Sequence, residues 1–176
     1  NPTELALPYT RFYRLCEYYR PKTKRMLMLG GGGFSFPKYA LAHYPDLQID
    51  VVELDPGITS LARSHFAITD HPRLRMIAED ARTFLAKVNE PYDVILCDVF
   101  NAHYSIPFHL VTVEAVHLMQ AALNPDWVVL VNLLASPEGV SNRFYKALRS
   151  SFASSFAQVR AYAVVDAADS KLWQNL

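Results

Sequence analysis

Short continuous apolar runs alternate with segments of helical spacing along almost the whole 176-residue chain. The runs near residues 25–29, 48–53, 73–77, 92–98, 126–132 and 157–165 predict strands, and helical patterns near 35–44, 57–66, 80–88, 111–123 and 138–153 separate them. Val94-Ile95-Leu96-Cys97 and Val128-Val129-Leu130-Val131 lack any polar alternation, which is what a strand covered on both faces of a parallel sheet requires. The pattern therefore predicts an α/β domain with a doubly wound, mostly parallel sheet and helices on both faces. An apolar strand could follow Trp173-Gln174-Asn175-Leu176, so a last antiparallel strand is expected to be incomplete. Turn residues agree with this division: Pro56-Gly57 follows the second strand, Asn124-Pro125-Asp126 precedes the fifth, and Pro137 opens the last long helix. Residues 1–22 read differently. Tyr9, Phe12, Tyr13, Leu15 and Cys16, with Arg11, Arg14 and Glu17 between them, predict a helix packed across the sheet, and the α/β domain itself is expected over residues 23–176.

Four of the six glycines stand in one run, Gly30 to Gly33, behind Met26-Leu27-Met28-Leu29 and ahead of Phe34-Ser35-Phe36-Pro37. A strand that enters a glycine turn and then a helix lets the backbone approach a ligand closely and aims free N–H groups at it. A nucleotide or nucleoside is the expected ligand. Glu53 ends the apolar run Ile49-Asp50-Val51-Val52, 23 residues after Gly30. At the tip of the neighbouring strand its carboxylate can accept from two ribose hydroxyls, each charge-assisted bond being worth roughly 1.5–3 kcal/mol. The competing role is to cap the next helix. Asp80, in Ile77-Ala78-Glu79-Asp80-Ala81, is placed to cap a helix for about 1 kcal/mol. It could also accept from an adenine amino group while Ala81 leaves room for the flat ring. A nicotinamide dehydrogenase has no need of this acid and wants a further glycine where Phe36 stands.

The fourth strand runs into Cys97-Asp98-Val99-Phe100-Asn101-Ala102-His103-Tyr104-Ser105-Ile106-Pro107-Phe108-His109. An acid just past buried apolar residues lies where a transferred group would be, so Asp98 could act as general base or hold an amine, with a plain strand-end cap as the alternative. Tyr104 and Phe108 could wall the pocket, because aromatic faces attract sulfonium or ammonium groups by roughly 0.5–2 kcal/mol. His103 and His109 lack companions at metal-ligand spacing, so no metal is expected, and His109 reads as a packed side chain bonded to loop backbone. Seventeen basic and seventeen acidic residues cancel without forming blocks, which argues against nucleic acid as the main partner but leaves room for a small cationic substrate. Cys16 and Cys97 read as buried free thiols in a reducing, cytoplasmic compartment. No apolar run reaches the ~20 residues of a membrane span, so no membrane contact is expected from this segment.

Taken in order, these pieces resemble the spermidine synthase superfamily, a branch of the Rossmann-like class I methyltransferase fold that binds S-adenosylmethionine. The resemblance runs from Tyr9-Thr10-Arg11 to the end and is carried by Leu27-Met28-Leu29-Gly30-Gly31-Gly32, Val52-Glu53-Leu54-Asp55-Pro56-Gly57-Ile58, Glu79-Asp80-Ala81 and Tyr92-Asp93-Val94-Ile95-Leu96-Cys97-Asp98. It implies that Gly30, Gly31 and Gly32, with Gly33 beside them, line the methionine-derived tail. It also implies that Glu53 holds the ribose with Leu54 next to it, that Asp80 and Ala81 hold adenine, and that Asp98 is the catalytic acid-base residue. Tyr9, Asn101 and Tyr104 are the expected substrate contacts. In the family's reaction a polyamine nitrogen attacks the carbon next to the sulfonium of decarboxylated S-adenosylmethionine, which needs alignment and one carboxylate to take a proton.

Two positions depart from the family pattern. Gly33 stands where spermidine synthases carry an aspartate that pairs with the aminopropyl ammonium, and Asn101 stands where they carry a second aspartate. Both changes lower the attraction for a polycation and for a decarboxylated tail. Methyl transfer from S-adenosylmethionine, or nucleoside binding without catalysis, therefore stay open beside aminopropyl transfer to an amine. The stretch Asp98-Val99-Phe100 with Ile106-Pro107-Phe108-His109-Leu110 looks like divergent spermidine-synthase-like proteins, some fused to membrane-spanning segments. It implies that this chain is part of a larger protein, and the family, whose enzymes are commonly dimers or tetramers, leaves a homodimer as a possible assembly.

Overall fold

The computed structural model describes residues 1–100, 106–135, 142–165 and 173–174. Strands β1 (Arg25–Leu29), β2 (Gln48–Glu53), β3 (Leu74–Ala78), β4 (Tyr92–Cys97) and β5 (Leu123–Val131) form one sheet in the order β3-β2-β1-β4-β5, every pair parallel. Between them run α3 (Ser35–His43), α4 (Pro56–His65), α5 (Ala81–Leu85) and α6 (Val113–Ala121), preceded by α1 (Pro8–Phe12) and α2 (Leu15–Tyr19) and followed by α7 (Asn142–Ala153). This is the doubly wound α/β architecture, and the strand order reverses between β1 and β4. In such sheets ligands bind beyond the carboxyl ends at the reversal.

The apolar runs are continuous because both faces are covered. Along β1, Leu27 and Leu29 enter one core with Phe84, Val116, Met119, Leu148 and Phe152, while Met26 and Met28 enter a second with Tyr13, Cys16, Phe36, Ala40 and Ala62. Helices α5, α6 and α7 thus cover one face, and α1 to α4 the other. At the amino end of the sheet the Asp93 carboxylate accepts from the backbone N–H groups of Lys24 (2.8 Å) and Arg25 (3.0 Å), which sets the register of β4 against β1.

Four local expectations differ from the structure. The N-terminal segment is two short helices, not one. Backbone bonds Tyr13→Thr10, Arg14→Arg11 and Cys16→Tyr13 tighten the join into three-residue turns, which line up the buried side chains Thr10, Tyr13 and Cys16. The pattern over 80–88 is helical only to Leu85, beyond which Lys87 and Val88 bond back three residues. The turn Asn124-Pro125-Asp126 lies inside β5 rather than before it. Register jumps from Tyr92↔Leu123 to Val94↔Val128, with Asp126 at φ +63°, because proline has no N–H for the ladder.

The run at 157–165 does not join the main sheet. Only β6 (Val164–Val165) is extended, and it pairs antiparallel with β7 (Trp173–Gln174) in a separate two-stranded unit. Tyr162 meets Tyr19 hydroxyl to hydroxyl instead. Its alternation of Gln158, Arg160 and Tyr162 with small apolar residues lacks the two-faced burial that a further inner strand would need. Among the described residues, β5 has no partner along its outer edge. The helix expected from 138 is seen from Asn142, and Pro137 lies outside the described residues.

Candidate active site

The glycine loop leaves β1 at the sheet's reversal point. Gly30 N–H donates to the Val52 carbonyl (2.8 Å), and the Asp98 N–H donates to the Leu29 carbonyl (2.8 Å), so the ends of β2, β1 and β4 are laced together. Gly30 has φ +88°, and a Cβ there would sit 2.8 Å from the carbonyl carbon of Asp98 and nearer still to its oxygen. Only glycine permits this approach. The turn ends at Phe34, itself left-handed (φ +53°) and fully buried, which anchors the start of α3. Gly33 faces the ring of Phe66, 3.2 Å from where a Cβ would be.

Glu53 closes over this loop. Its Oε2 accepts from the N–H of Gly31 (2.8 Å), and its Oε1 from the N–H of Asp55 (3.0 Å). The helix cap that could have been its duty belongs to Asp55, which accepts from Gly57 N–H (2.7 Å) at the start of α4. Pro56 therefore begins that helix, its missing N–H being one the first turn does not use. Leu54, beside Glu53, is two-thirds exposed at 68 % and offers an apolar surface at the mouth of the site.

Asp80 caps α5: Oδ1 accepts from Thr83 N–H (2.8 Å) and from the Thr83 hydroxyl (3.0 Å). Burial works to raise its carboxyl, but the Thr83 donors and His109 outweigh it and hold it below the usual value. Ala81 is buried directly behind it. His109 departs from expectation. It is not tied to loop backbone through its ring, because Nε2 faces Asp80 Oδ2 at 3.2 Å. A charged partner within reach of the loop accounts for this, since a half-buried imidazole gains more from a carboxylate than from a peptide carbonyl. Phe108, next to it, is 80 % exposed and meets the His109 ring edge to face.

Asp98 lies just past β4, where its carboxylate is partly buried. The Asn132 side-chain amide donates to Oδ1 (2.8 Å), and the Asn132 backbone N–H donates to the Cys97 carbonyl (2.9 Å). Burial raises the Asp98 carboxyl above its usual range, and Asn132, Tyr13 and Tyr9 only partly offset this. The phenols respond in turn. Burial first, then the nearby Asp98 charge, pushes Tyr9 up to about 12 and Tyr13 well above its usual value. Among the described residues, the Tyr13 hydroxyl is buried without a partner inside hydrogen-bond distance, as is Oδ1 of Asn132.

Of the expected site residues, the structure gathers Gly30 to Gly33 and Glu53 around one loop, places Asp80 and Ala81 at the end of β3, and sets Tyr9 beside Asp98 at the end of β4. Asn101, His103 and Tyr104 lie outside the described residues. Sequence reasoning passed over Asn132 and Tyr13. Asn132 follows Val128-Val129-Leu130-Val131, the same polar-after-apolar signal that marks Asp98, so the pattern could have found it; Tyr13 was read only as helix packing. A cavity of about 420 Å³ follows the open edge of β5 and reaches Tyr9, Tyr13 and Asn132 from behind, between α7 and the segment leading to β6. It does not enclose the glycine loop. Its extent follows the unpaired strand edge, so the polar cluster at the carboxyl ends, rather than this cavity, is the candidate site. No group of three His, Cys, Asp or Glu side chains among the described residues could hold a metal ion, and no described helix is long and apolar enough to cross a membrane.

The spermine/spermidine synthase domain model matches residues 14–169. The chain belongs to that family. It is 31% identical over 135 residues to the polyamine aminopropyltransferase of Vibrio vulnificus, covering 75% of this chain and 45% of that protein. It is 25% identical over 138 residues to the human eEF1A lysine and N-terminal methyltransferase, covering 72% of this chain and 20% of that one. Among solved structures, human methyltransferase-like protein 13 in complex with SAH superposes with a TM-score of 0.81 at 19% identity, covering 97% of this chain and 80% of that chain. The last likeness establishes the class I methyltransferase fold. The chain spans less than half the length of these two curated relatives.

Proposed function

We propose that this chain is the nucleoside-binding, catalytic part of a transferase that moves an aminopropyl group from decarboxylated S-adenosylmethionine to a small-molecule amine. The observation that carries the reading is Asp98: a partly buried carboxylate at the sheet's reversal point, raised above the usual range, held on one oxygen by Asn132 and flanked by two phenols. A carboxyl with a raised value is a better proton acceptor for an amine than an ordinary one, which is what general base catalysis wants. When bound, the S-adenosyl group supplies an electrophilic carbon next to a sulfonium. The donor set suits such a group: Glu53 and Asp80 end consecutive strands, Gly30 brings backbone against Asp98, and Leu54 and Ala81 offer apolar surface for a flat ring.

In this reading Glu53 accepts from the ribose hydroxyls and Asp80 from the adenine amino group. Asp98 orients the amine and takes its proton, with Tyr9 next to the acceptor. Residues 1–22 belong to the site as well as to the packing of residues 23–176, because they supply both phenols. Asn101 and Tyr104 complete the acceptor contacts. The buried thiols of Cys16 and Cys97, both pushed up to about 12 by burial, fit the reducing cytoplasm. A homodimer is the expected assembly.

Methyl transfer is the second reading, favoured by Gly33. Without an acid there, the carboxylate of ordinary S-adenosylmethionine meets no like charge. The similarity to a lysine and N-terminal methyltransferase points the same way. Product analysis decides. Incubation with decarboxylated S-adenosylmethionine and an amine panel should release methylthioadenosine; release of S-adenosylhomocysteine from the ordinary cofactor instead would install the methyltransferase reading. Tight nucleoside binding with neither product, and with Asp98→Asn indistinguishable from wild type, would leave a binding module.

A further inference from the structure

Asp80 offers its two carboxylate oxygens unequally. Among the described residues, Oδ1 is filled by two donors, the N–H and the hydroxyl of Thr83 at 2.8 and 3.0 Å, whereas Oδ2 has one, the His109 ring at 3.2 Å. A carboxylate oxygen accepts along two lone-pair directions, so one direction on Oδ2 is left. Because the partner is an acceptor, a neutral His109 must carry its proton on Nε2. The backbone that carries the imidazole is itself held: Arg82 Nη1 donates to the His109 carbonyl (2.8 Å) and reaches the Thr112 hydroxyl (3.3 Å), clamping the short 3-10 turn Phe108–Leu110 against α5. Half-exposed side chains at this contact, 37% for His109 and 35% for Asp80, leave room for a ligand to share it.

We propose that His109 is a positioning residue for base recognition, selecting a 6-amino purine over a 6-oxo purine. The inference rests on the reading of Asp80 as the adenine contact. By holding Oδ2 from one side, His109 fixes the carboxylate plane, and the free lone pair then points at one place in the site. An amino group arriving there donates to it. A ring carbonyl at the same place meets an acceptor that cannot turn away, and two facing acceptors discriminate against that ligand. Without His109 the carboxylate is tethered only through Oδ1 and can rotate to relieve that clash. The same contact ties the segment that follows Asp98 to the end of β3, so base recognition and the acceptor side of the site share one strut.

The test is calorimetric titration of S-adenosylhomocysteine and S-inosylhomocysteine into wild type, His109→Ala, His109→Gln and Asp80→Asn, with thermal melting as the fold control. Wild type should prefer the adenosyl ligand by about ten-fold or more, and His109→Ala should lose most of that preference, chiefly because the inosyl ligand binds more tightly once the carboxylate can turn away. His109→Gln, whose amide can still donate, should recover part of it. Equal weakening of both ligands in His109→Ala, or a preference left intact, overturns the proposal while a lost preference in Asp80→Asn keeps the adenine assignment. No adenosyl preference in wild type removes that assignment, and this inference with it. Should the alanine variant not fold, His109→Asn, whose shorter amide falls short of Oδ2, carries the same comparison.

Discussion

Substituting alanine at Gly30 and, separately, at Gly32 isolates what the close approach of β1 to β4 contributes. Both glycines have positive φ, +88° and +49°, so each substitution costs the left-handed penalty of about 1–2 kcal/mol. They differ in surroundings. The Gly32 Cβ would point into open space, whereas the Gly30 Cβ would lie 2.8 Å from the backbone carbonyl carbon of Asp98, which no rotamer change can move aside. Overpacking of this kind adds about 1–3 kcal/mol, and fixed backbone puts Gly30 toward the upper end. Gly30→Ala should therefore lose about 2–5 kcal/mol against about 1–2 kcal/mol for Gly32→Ala. At about 2–4 °C per kcal/mol for a domain of this size, the gap is readable in melting temperature and in the urea midpoint. Gly30→Ala should also disturb Asp98, because the carbonyl that must move belongs to it. Equal destabilisation of the two variants, within about 0.5 kcal/mol, would refute the claim that Gly30 is there for the Asp98 backbone.

Asp98→Asn should abolish turnover, leave nucleoside affinity nearly intact and stabilise the fold by about 1 kcal/mol near neutral pH. The sign follows from the raised carboxyl: the folded state keeps a proton that the unfolded state releases, so wild-type stability falls as pH rises from about 4 through the raised value, and the gain from asparagine appears over that window and vanishes below it. Parallel stability curves for the two proteins across pH would contradict the buried charge. Glu53→Ala should weaken S-adenosylmethionine binding by ~2 kcal/mol or more in a calorimetric titration, and unchanged affinity would end its ribose assignment. Gly33→Asp should fold, because the Phe66 ring it meets is half exposed and can swing away. It should shift the binding preference toward decarboxylated S-adenosylmethionine, and an unaltered preference would remove the weight placed on that glycine.

Period and punctuation in the sequence determined the architecture. Unbroken apolar runs at β1, β4 and β5 demanded cover on both faces, and the glycine run behind β1 marked the turn where ligands meet such a sheet. These are local signals, readable because a two-faced strand and a glycine turn each constrain the residues that form them. Glu53, Asp80 and Asp98 were legible for the same reason, each being a polar residue at the end of an apolar run. What only the tertiary structure decided is pairing across distance. Asn132 meets Asp98 because β4 and β5 are neighbours in register, Tyr13 arrives from the turn between α1 and α2 at the other end of the chain, and His109 finds Asp80 across 29 residues of sequence. The alternation over 157–165 speaks against an inner strand, but it reads the same whether the segment lies at the edge of the main sheet or pairs with a second short strand outside it. Burial, which raises the Asp98 carboxyl, is a property of everything packed around a residue and of nothing beside it in the chain.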